Sequence, residues 1–376
     1  MSEWKKVKLG DVSQYVNDKI AITATNESYY VSTDSMLKDR GGIIAPESIP
    51  SDGNVTKYQS DDILVSNIRP YFKKIWFSCR EGGCSNDVLV FRALEGITSR
   101  YLYYILSDDT FFEHMMAGAN GTKMPRGNKK LILNYSFELP SLPTQHRIAT
   151  ILSRYDSLIE NYQKQIKLLE EAAQRLYKEW FVDLHFPSHE NTKIIDGVPE
   201  GWEKKTLDEF CSVFTGKKNA NAAAQSGKYK FFTCGDTPLQ IDSYIYDGPA
   251  IIISGNGSYT GRTTFYEGKF DLYQRTYACT IINNENRDLI YGLFEIVKCE
   301  LTTQISGGTH GAAIPYIVMG DITKFTFTSN DIVLRKFSKI IKSFLDRTMC
   351  ISSQIRLLTE ARDRLLPKLM SGELKV

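Results

Sequence analysis

The chain has 376 residues, of which 46 are Lys or Arg and 44 are Asp or Glu, so its formal net charge is +2. Its hydrophobic content of 42% excludes wholesale disorder, and its length allows two or three domains. The near-neutral charge excludes a protein that is basic throughout but allows local basic patches. There is no run of about 18 apolar residues and no apolar signal-peptide core, so we expect a cytoplasmic protein without a membrane span.

The chain begins with short strand-like runs, which are rich in Tyr, Phe, Ile, Thr and Gly over residues 1–140. This composition favours strands and turns with a few short helices, as in an α+β domain. After Pro143 a helical pattern follows, in which apolar residues recur at steps of three or four from Ile151 to Trp180, close to a heptad repeat. We therefore predict a first domain over 1–140 and a long helix over 141–186.

The same order of elements then recurs, with a strand-rich region over 187–330 and a second long helix over 331–376, which Pro367 is expected to end. Each helix is about 37 residues, or roughly 55 Å, long, and a lone helix of this length with an apolar stripe needs a partner in water. Two matched helices in one chain can bury each other's stripes. The prediction is an α+β protein in which an antiparallel coiled coil separates two domains, although an ordinary helical hairpin or a dimerisation coil fits the helices alone.

Sequence similarity between the two halves supports a tandem repeat. Trp4 and Trp202 each lie five residues before a leucine, at an offset of 198. The buried-strand pattern ILVSN at 63–67 has a counterpart in AIIISGN at 250–256, and QIKLLEEAAQRL from Gln165 has one in QIRLLTEARDRL from Gln354. The landmarks keep their order along the chain, which predicts two copies of one plan related by a pseudo-twofold axis.

Two loops of the first domain are rich in basic and amide side chains, which is the chemistry that contacts nucleic acid. The segment 119–130 has four basic residues, no acidic residue, and glycines that let the backbone approach a groove closely. The segment 66–77 mixes cations with aromatic residues, which equally fit the core face of a strand. The candidates are Asn67, Arg69, Lys73, Lys74, Asn120, Thr122, Lys123, Arg126, Lys129 and Lys130.

The second domain offers fewer cations at the corresponding places. Arg pairs bidentately with guanine and Asn with adenine, which favours Arg262 and Asn256 as readers of base edges. The lysines of 215–228 equally fit a plain surface loop, and the segment 307–310 lacks the lysines of its counterpart. The candidates are Lys217, Lys218, Asn256, Ser258, Tyr259, Arg262, Thr309 and His310.

Motifs of a catalytic or metal centre are missing. The glycines of 255–261 are followed by a strand pattern, RTTFYEGKF, whereas a nucleotide-binding motif requires a helix there. No phosphate-binding loop, amino-methyltransferase tetrapeptide or common nuclease core occurs. The seven cysteines form no C-x-x-C pair, and Pro187 separates His185 from His189, so we expect no metal, disulfide or cofactor in this chain.

Four stretches resemble the specificity subunits of type I restriction–modification systems: ELPSLPTQHRIATILS at 138–153, RLYKEWFVDLHFP at 175–187, VPEGWEKKTLDEF at 198–210 and RLLPKLMSGELKV at 364–376. The resemblance implies two target-recognition domains that each bind half of a split double-stranded DNA target. It implies paired helices that act as a spacer and dock two methyltransferase subunits, which motor–nuclease subunits can join. S-adenosylmethionine, ATP and Mg²⁺ are then expected on those partners, and this chain is expected to be non-catalytic.

Two other functions remain open from the residues. A self-sufficient DNA enzyme, such as a nuclease, would cleave or methylate DNA without a partner. A coiled-coil scaffold that binds only proteins would show no salt-dependent DNA binding, whereas Lys and Arg contacts to phosphate weaken as salt rises.

Overall fold

The computed structural model describes residues 4–26, 29–121, 123–305 and 316–376, which form two compact units. The first unit comprises residues 1–161 and 355–376, and the second comprises residues 162–354. Each unit therefore combines a strand-rich part with a portion of both long helices.

The first unit contains ten short strands, four short helices and the start of a long one within its described residues. Its strands are β1 (Lys5–Lys8), β2 (Ser13–Tyr15), β3 (Lys19–Ala21), β4 (Tyr30–Val31), β5 (Asn54–Tyr58), β6 (Ile63–Ser66), β7 (Ile75–Phe77), β8 (Gly82–Cys84), β9 (Val88–Ala93) and β10 (Ser136–Leu139). Its helices are α1 (Leu9–Val12), α2 (Ser99–Ser107), α3 (Asp109–Ala117), α4 (Lys129–Ile132) and the central helix α5 (Leu142–Tyr177), with single 3₁₀ turns at Ile22–Ala24 and Pro70–Phe72.

The strands of the first unit form an antiparallel sheet in the order β2-β9-β6-β7, a second sheet in the order β3-β5-β8-β4, and the pair β1-β10. Strand β6 is buried on both faces, which explains its unbroken apolar run. Ile63 and Val65 pack in the core cluster that includes α2, whereas Leu64 packs in a separate cluster on the other face.

The second unit repeats this plan with longer strands. Its strands are β11 (Ile194–Ile195), β12 (Val198–Pro199), β13 (Glu203–Thr206), β14 (Cys211–Thr215), β15 (Tyr229–Phe232), β16 (Leu239–Ile241), β17 (Tyr246–Ser254), β18 (Thr263–Leu272), β19 (Thr276–Ile281) and β20 (Thr326–Ser329). Its helices are α6 (Leu289–Ile305), α7 (Met319–Thr323) and α8 (Asp331–Met370), which continues into the first unit, with 3₁₀ turns at His189–Asn191, Leu207–Glu209, Ala220–Ala222 and Asn284–Asn286.

The two units share a strand order, which confirms the tandem repeat. The order β14-β19-β17-β18 in the second sheet corresponds to β2-β9-β6-β7 in the first, and the pair β13-β20 corresponds to β1-β10. In both units a helix packs against this sheet, α2 in the first and α6 in the second. The units differ at the sheet edge, because β15 and β16 extend the second sheet whereas β3, β4, β5 and β8 of the first unit form a sheet of their own.

The long helices α5 and α8 contribute to the core of each unit. In the first unit, Ile148 and Leu152 of α5 share a core cluster with Leu366 and Leu369 of α8. In the second unit, Trp180, in the π-turn Lys178–Val182 that follows α5, lies 5.9 Å from the ring of Phe337, and Gln165 accepts a 3.2 Å hydrogen bond from Arg347. Residue numbers fall along one helix as they rise along the other, so the helices are antiparallel.

Helix α8 continues through Pro367 to Met370, so the expectation that Pro367 ends it is wrong. Proline removes one N–H donor, but the next turn still forms, since the N–H of Ser371 donates to the carbonyl of Pro367 at 2.9 Å. The buried side chains of Leu369 and Met370 hold this final turn in the core of the first unit. No helix among the described residues has the length and apolarity needed to cross a membrane.

Candidate nucleic-acid interface

Two segments of the first unit that are far apart in the chain meet where strand β6 ends. The N–H of Arg69 donates to the carbonyl of Pro125 at 2.8 Å, and the N–H of Gly127 donates to the carbonyl of Asn67 at 3.2 Å. Ile68 and Arg126 also form an antiparallel bridge. These contacts join 66–77 to 119–130, and we call the joined surface the first loop junction.

The cations of the 119–130 segment lie around a closed turn. Asn120 and Arg126 exchange two backbone hydrogen bonds of 2.9 Å each, which hold the turn that carries exposed Lys123. The guanidinium of Arg126 donates to the carboxylate of Asp87 at 3.2 Å. Lys129 and Lys130 are exposed at the start of α4. Thr122 lies outside the described residues.

Asn67 lies between the two segments rather than on their outer surface. Its side chain is buried, and its Oδ1 atom has no hydrogen-bond partner among the described atoms. A Cβ atom at Gly127 would lie 2.8 Å from this oxygen, which explains why glycine occupies that position. The buried side chain of Asn67 therefore lies between the two segments of the junction and sets their spacing.

The cations that follow Asn67 are held by protein groups. Lys73 forms a 2.9 Å ion pair with Asp109, and the ammonium of Lys74 donates to the carbonyl of Thr33 at 2.6 Å. Arg69 has a left-handed backbone with φ of 50°, and its Nε atom is buried. Burial lowers the pKa of Lys74, and the nearby positive charges of Lys38 and Arg69 lower it further, against the opposing effect of Asp34.

The second unit has the same junction at the end of β17. The N–H of Ile317 donates to the carbonyl of Gly255 at 2.8 Å, and Asn256 forms an antiparallel bridge with Tyr316. We call residues 254–262 with 316–317 the second loop junction. Thr309 and His310 lie in the segment just before it, outside the described residues.

The loop 254–262 presents the side chains that were predicted there. The N–H of Ser254 donates to the carbonyl of Arg262 at 3.0 Å, which closes the loop, and Ser258 and Tyr259 are exposed. The guanidinium of Arg262 donates to the carbonyl and the carboxylate of Asp236, at 2.6 and 2.7 Å, and lies 5.4 Å from the ring centre of Tyr259. Arg262 thus has a defined orientation at the rim of a cleft that Phe232, Ile252, Phe265 and Tyr266 help to line.

The two lysines at 217–218 differ in environment. Lys217 is exposed, whereas the ammonium of Lys218 forms a 2.7 Å ion pair with the buried carboxylate of Asp271 and donates to Ser243. Removal of Lys218 would leave Asp271 buried and unpaired. Lys218 therefore stabilises the second unit, whereas Lys217 is free of this constraint.

The structure adds residues that the sequence reasoning missed. Asp87 and Asp236 each pair with a candidate arginine, and Lys38 and Arg40 lie beside Lys73 and Lys74. No local sequence signal could have revealed these two carboxylates. An acidic side chain by itself opposes DNA binding, and each of these is paired with an arginine that is distant in the chain. The described residues hold no group of three or more metal-ligating side chains, and the cysteines described are unpaired.

Comparisons with known proteins agree with this architecture. The family model for the type I restriction modification DNA specificity domain matches residues 1–171 and 199–347. The type I restriction enzyme MjaIX specificity subunit of Methanocaldococcus jannaschii is 29% identical over 308 residues, which is 75% of this chain and 70% of that protein. The EcoDI specificity subunit of Escherichia coli is 33% identical over 183 residues, 47% of this chain and 39% of that one.

Among solved structures, the S subunit of the type I restriction–modification system from M. genitalium is similar with a TM-score of 0.59 and 16% identity. The match covers 98% of this chain and 96% of that one. At this identity the likeness establishes a common fold.

Proposed function

The chain belongs to the family of type I restriction–modification DNA specificity subunits, with two recognition domains, and we propose that each unit reads one half of a bipartite DNA target at its loop junction. The observation that carries this proposal is the recurrence of the junction. In both units the chain leaves the equivalent strand, β6 or β17, and hydrogen-bonds to a segment that follows the packed helix. Arg126 at the first junction and Arg262 at the second have the fork geometry that suits guanine.

The chemistry of the complex belongs to other subunits in this proposal. Two methyltransferase subunits would dock on the paired helices and hold S-adenosylmethionine. Motor–nuclease subunits would join them and use ATP and Mg²⁺. A chain that contains the same plan twice offers the same platform twice, which suits two identical partners.

The test is the selection of binding sites from random duplex DNA by the chain together with its methyltransferase subunit. We expect a motif of two specified halves separated by bases that are not read. Enrichment of no motif would contradict the proposal. DNA cleavage or methylation by the purified chain alone would favour the self-sufficient enzyme, and the absence of salt-dependent DNA binding would favour a protein scaffold.

A second prediction concerns the helices as a spacer. Insertion of four residues between Asn161 and Tyr162, matched by four between Gln354 and Ile355, lengthens the helix pair by about 6 Å. At roughly 3.4 Å per base pair, the unread gap should grow by one or two base pairs while both half-sites keep their bases.

The same site selection measures this gap. As a control, the insertion in one helix alone should impair folding or DNA binding, because it shifts the two apolar stripes out of register. A selected gap of unchanged length in the doubly inserted protein would contradict the spacer role.

A further inference from the structure

We propose that the first unit carries a dedicated phosphodiester anchor, built from two left-handed turns at 37–42 and 69–74 that hold a cluster of cations beside the first loop junction. We call these segments together the double turn. The inference rests on the proposed function, because it assigns the DNA backbone to the double turn and leaves the bases to the junction.

The backbone of the double turn is strained at four residues that are not glycine. Positive φ angles occur at Asp39 (52°), Arg40 (63°), Arg69 (50°) and Lys73 (49°). Such conformations are unfavourable for a residue with a side chain, so they persist only where other contacts enforce them. Among the described residues, eight other than glycine have a positive φ angle, and four of these eight lie in the double turn. Their concentration in two touching segments indicates a functional surface.

Backbone hydrogen bonds enforce the strain by tying the turns together. The N–H of Asp39 donates to the carbonyl of Phe72 at 2.9 Å, and that of Arg40 donates to the carbonyl of Lys73 at 3.0 Å. The first turn is closed in addition by a 2.9 Å bond from the N–H of Leu37 to the carbonyl of Gly42. The left-handed residues thus hold the backbone in the conformation that lets these bonds form.

The double turn brings together more positive than negative charge. Asp109 pairs with both Arg40 and Lys73, so two cations share one carboxylate. The ammonium of Lys38 lies over the ring of Phe72, 4.4 Å from its centre. The cations of the cluster are Lys38, Arg40, Arg69, Lys73 and Lys74, and the carboxylates in the same segments or interacting with them are Asp34, Asp39 and Asp109.

An anion bound at this cluster would neutralise part of its excess positive charge. Partial burial lowers the pKa of Lys74, and the positive charges of Lys38 and Arg69 lower it further, against the opposing effect of Asp34. The ammonium groups of Lys38 and Lys74 lie 4.4 and 6.0 Å from the centre of the Phe72 ring, so both are near one aromatic side chain. A phosphodiester oxygen close to both ammonium groups would attract each of them and offset the repulsion between them.

The position of the double turn makes DNA the expected source of that phosphate. Arg69 belongs to the second turn and also donates its N–H to Pro125 of the first loop junction at 2.8 Å. Readers of DNA sequence place phosphate contacts, which fix the register, next to base contacts, which specify. Through Arg69, the double turn is continuous with the first loop junction.

The test is the salt dependence of duplex binding by the chain with its methyltransferase subunit, for the wild type and for Lys38→Gln/Lys74→Gln. Each lost phosphate contact should make the slope of log K against log salt shallower by about 0.9, or about 1.8 for both. Between 50 and 200 mM salt the variant should therefore lose about 12-fold less affinity than the wild type. Matched and mismatched duplexes should be weakened equally, and the selected motif should not change.

Two further variants guard against an effect of folding or of total charge. Lys38→Gln alone changes an exposed side chain and should show half of the change in slope with unaltered thermal unfolding. Lys5→Gln/Lys8→Gln removes two exposed charges from β1 and should leave the slope unchanged.

An unchanged slope in Lys38→Gln/Lys74→Gln, or altered base preference in its selected motif, would overturn the anchor while the proposed function stands. Selection of no motif by the wild-type complex would overturn both.

Discussion

Replacement of Arg262 by alanine is expected to relax the base preference in one half of the DNA target and to leave the other half unchanged. Loss of a bidentate arginine–guanine contact costs about 1–3 kcal/mol, or roughly 5- to 150-fold in affinity for the matched duplex. Arg262 lies at the second loop junction, where its guanidinium donates to Asp236 and lies beside Tyr259. This orientation reduces the conformational freedom that the side chain would lose on binding.

Two further substitutions, one at Arg262 and one at its partner Asp236, separate the effect of charge from that of side-chain geometry. Arg262→Lys keeps the charge but removes the fork, so it should relax the same half-site while retaining more affinity for mismatched duplexes than Arg262→Ala. Asp236→Asn should hold the side chain of Arg262 less rigidly. It should also raise the affinity for mismatched DNA, because it removes a negative charge beside the duplex.

The measurement is site selection with affinities for matched and mismatched duplexes at one fixed salt concentration. Lys217→Gln is the control, because Lys217 is exposed in the same unit and should weaken all sequences equally. An unchanged motif in Arg262→Ala would show that this arginine does not read a base.

Replacement of Arg362 by methionine is expected to lower the free energy of unfolding by about 3–5 kcal/mol, because it leaves a carboxylate without its partner in a mostly buried site. The guanidinium of Arg362 donates to Asp156 of α5 at 2.9 Å, and their side chains are 11% and 16% exposed. The hydroxyl of Tyr104 in α2 donates to the same carboxylate at 2.6 Å. The network therefore ties α2, α5 and α8 together within the first unit.

The pKa shifts in this network agree with a strong interaction. Burial by itself lowers the pKa of Arg362, but the carboxylates of Asp156 and Asp363 outweigh it and raise the pKa. Burial and the charge of Asp156 raise the pKa of Tyr104. Both shifts keep the arginine charged and the tyrosine protonated, which is the state that the hydrogen bonds require.

Denaturant-induced unfolding measures the effect, and Arg364→Met is the matched control. Arg364 is 77% exposed and pairs with Glu360 on the same helix, so the same substitution there should cost less than about 1 kcal/mol. The double variant Arg362→Met/Asp156→Leu should recover much of the lost stability, because it removes both charges. Equal effects of Arg362→Met and Arg364→Met would contradict the account.

The long helices and the buried central strands could be predicted from the sequence because their signals are local. An apolar spacing of three and four indicates a helical stripe within a short window, and the short apolar run Ile63–Val65 fits a buried strand. The tandem repeat was equally visible, since two copies of one plan keep their landmarks in order. The sequence also indicated which loops carry cations and amides, and these are the loops in which we predict the DNA contacts.

The tertiary structure alone decided what those loops do together. Hydrogen bonds between backbones far apart in the chain, such as Arg69 to Pro125 and Ile317 to Gly255, bring separate segments into one junction. Asn67 is buried and Lys218 is paired with Asp271 because of neighbours that are also distant in the chain. Periodicity reports which face of an element is apolar, but the partner of a charged side chain depends on how the elements pack, which no local pattern encodes.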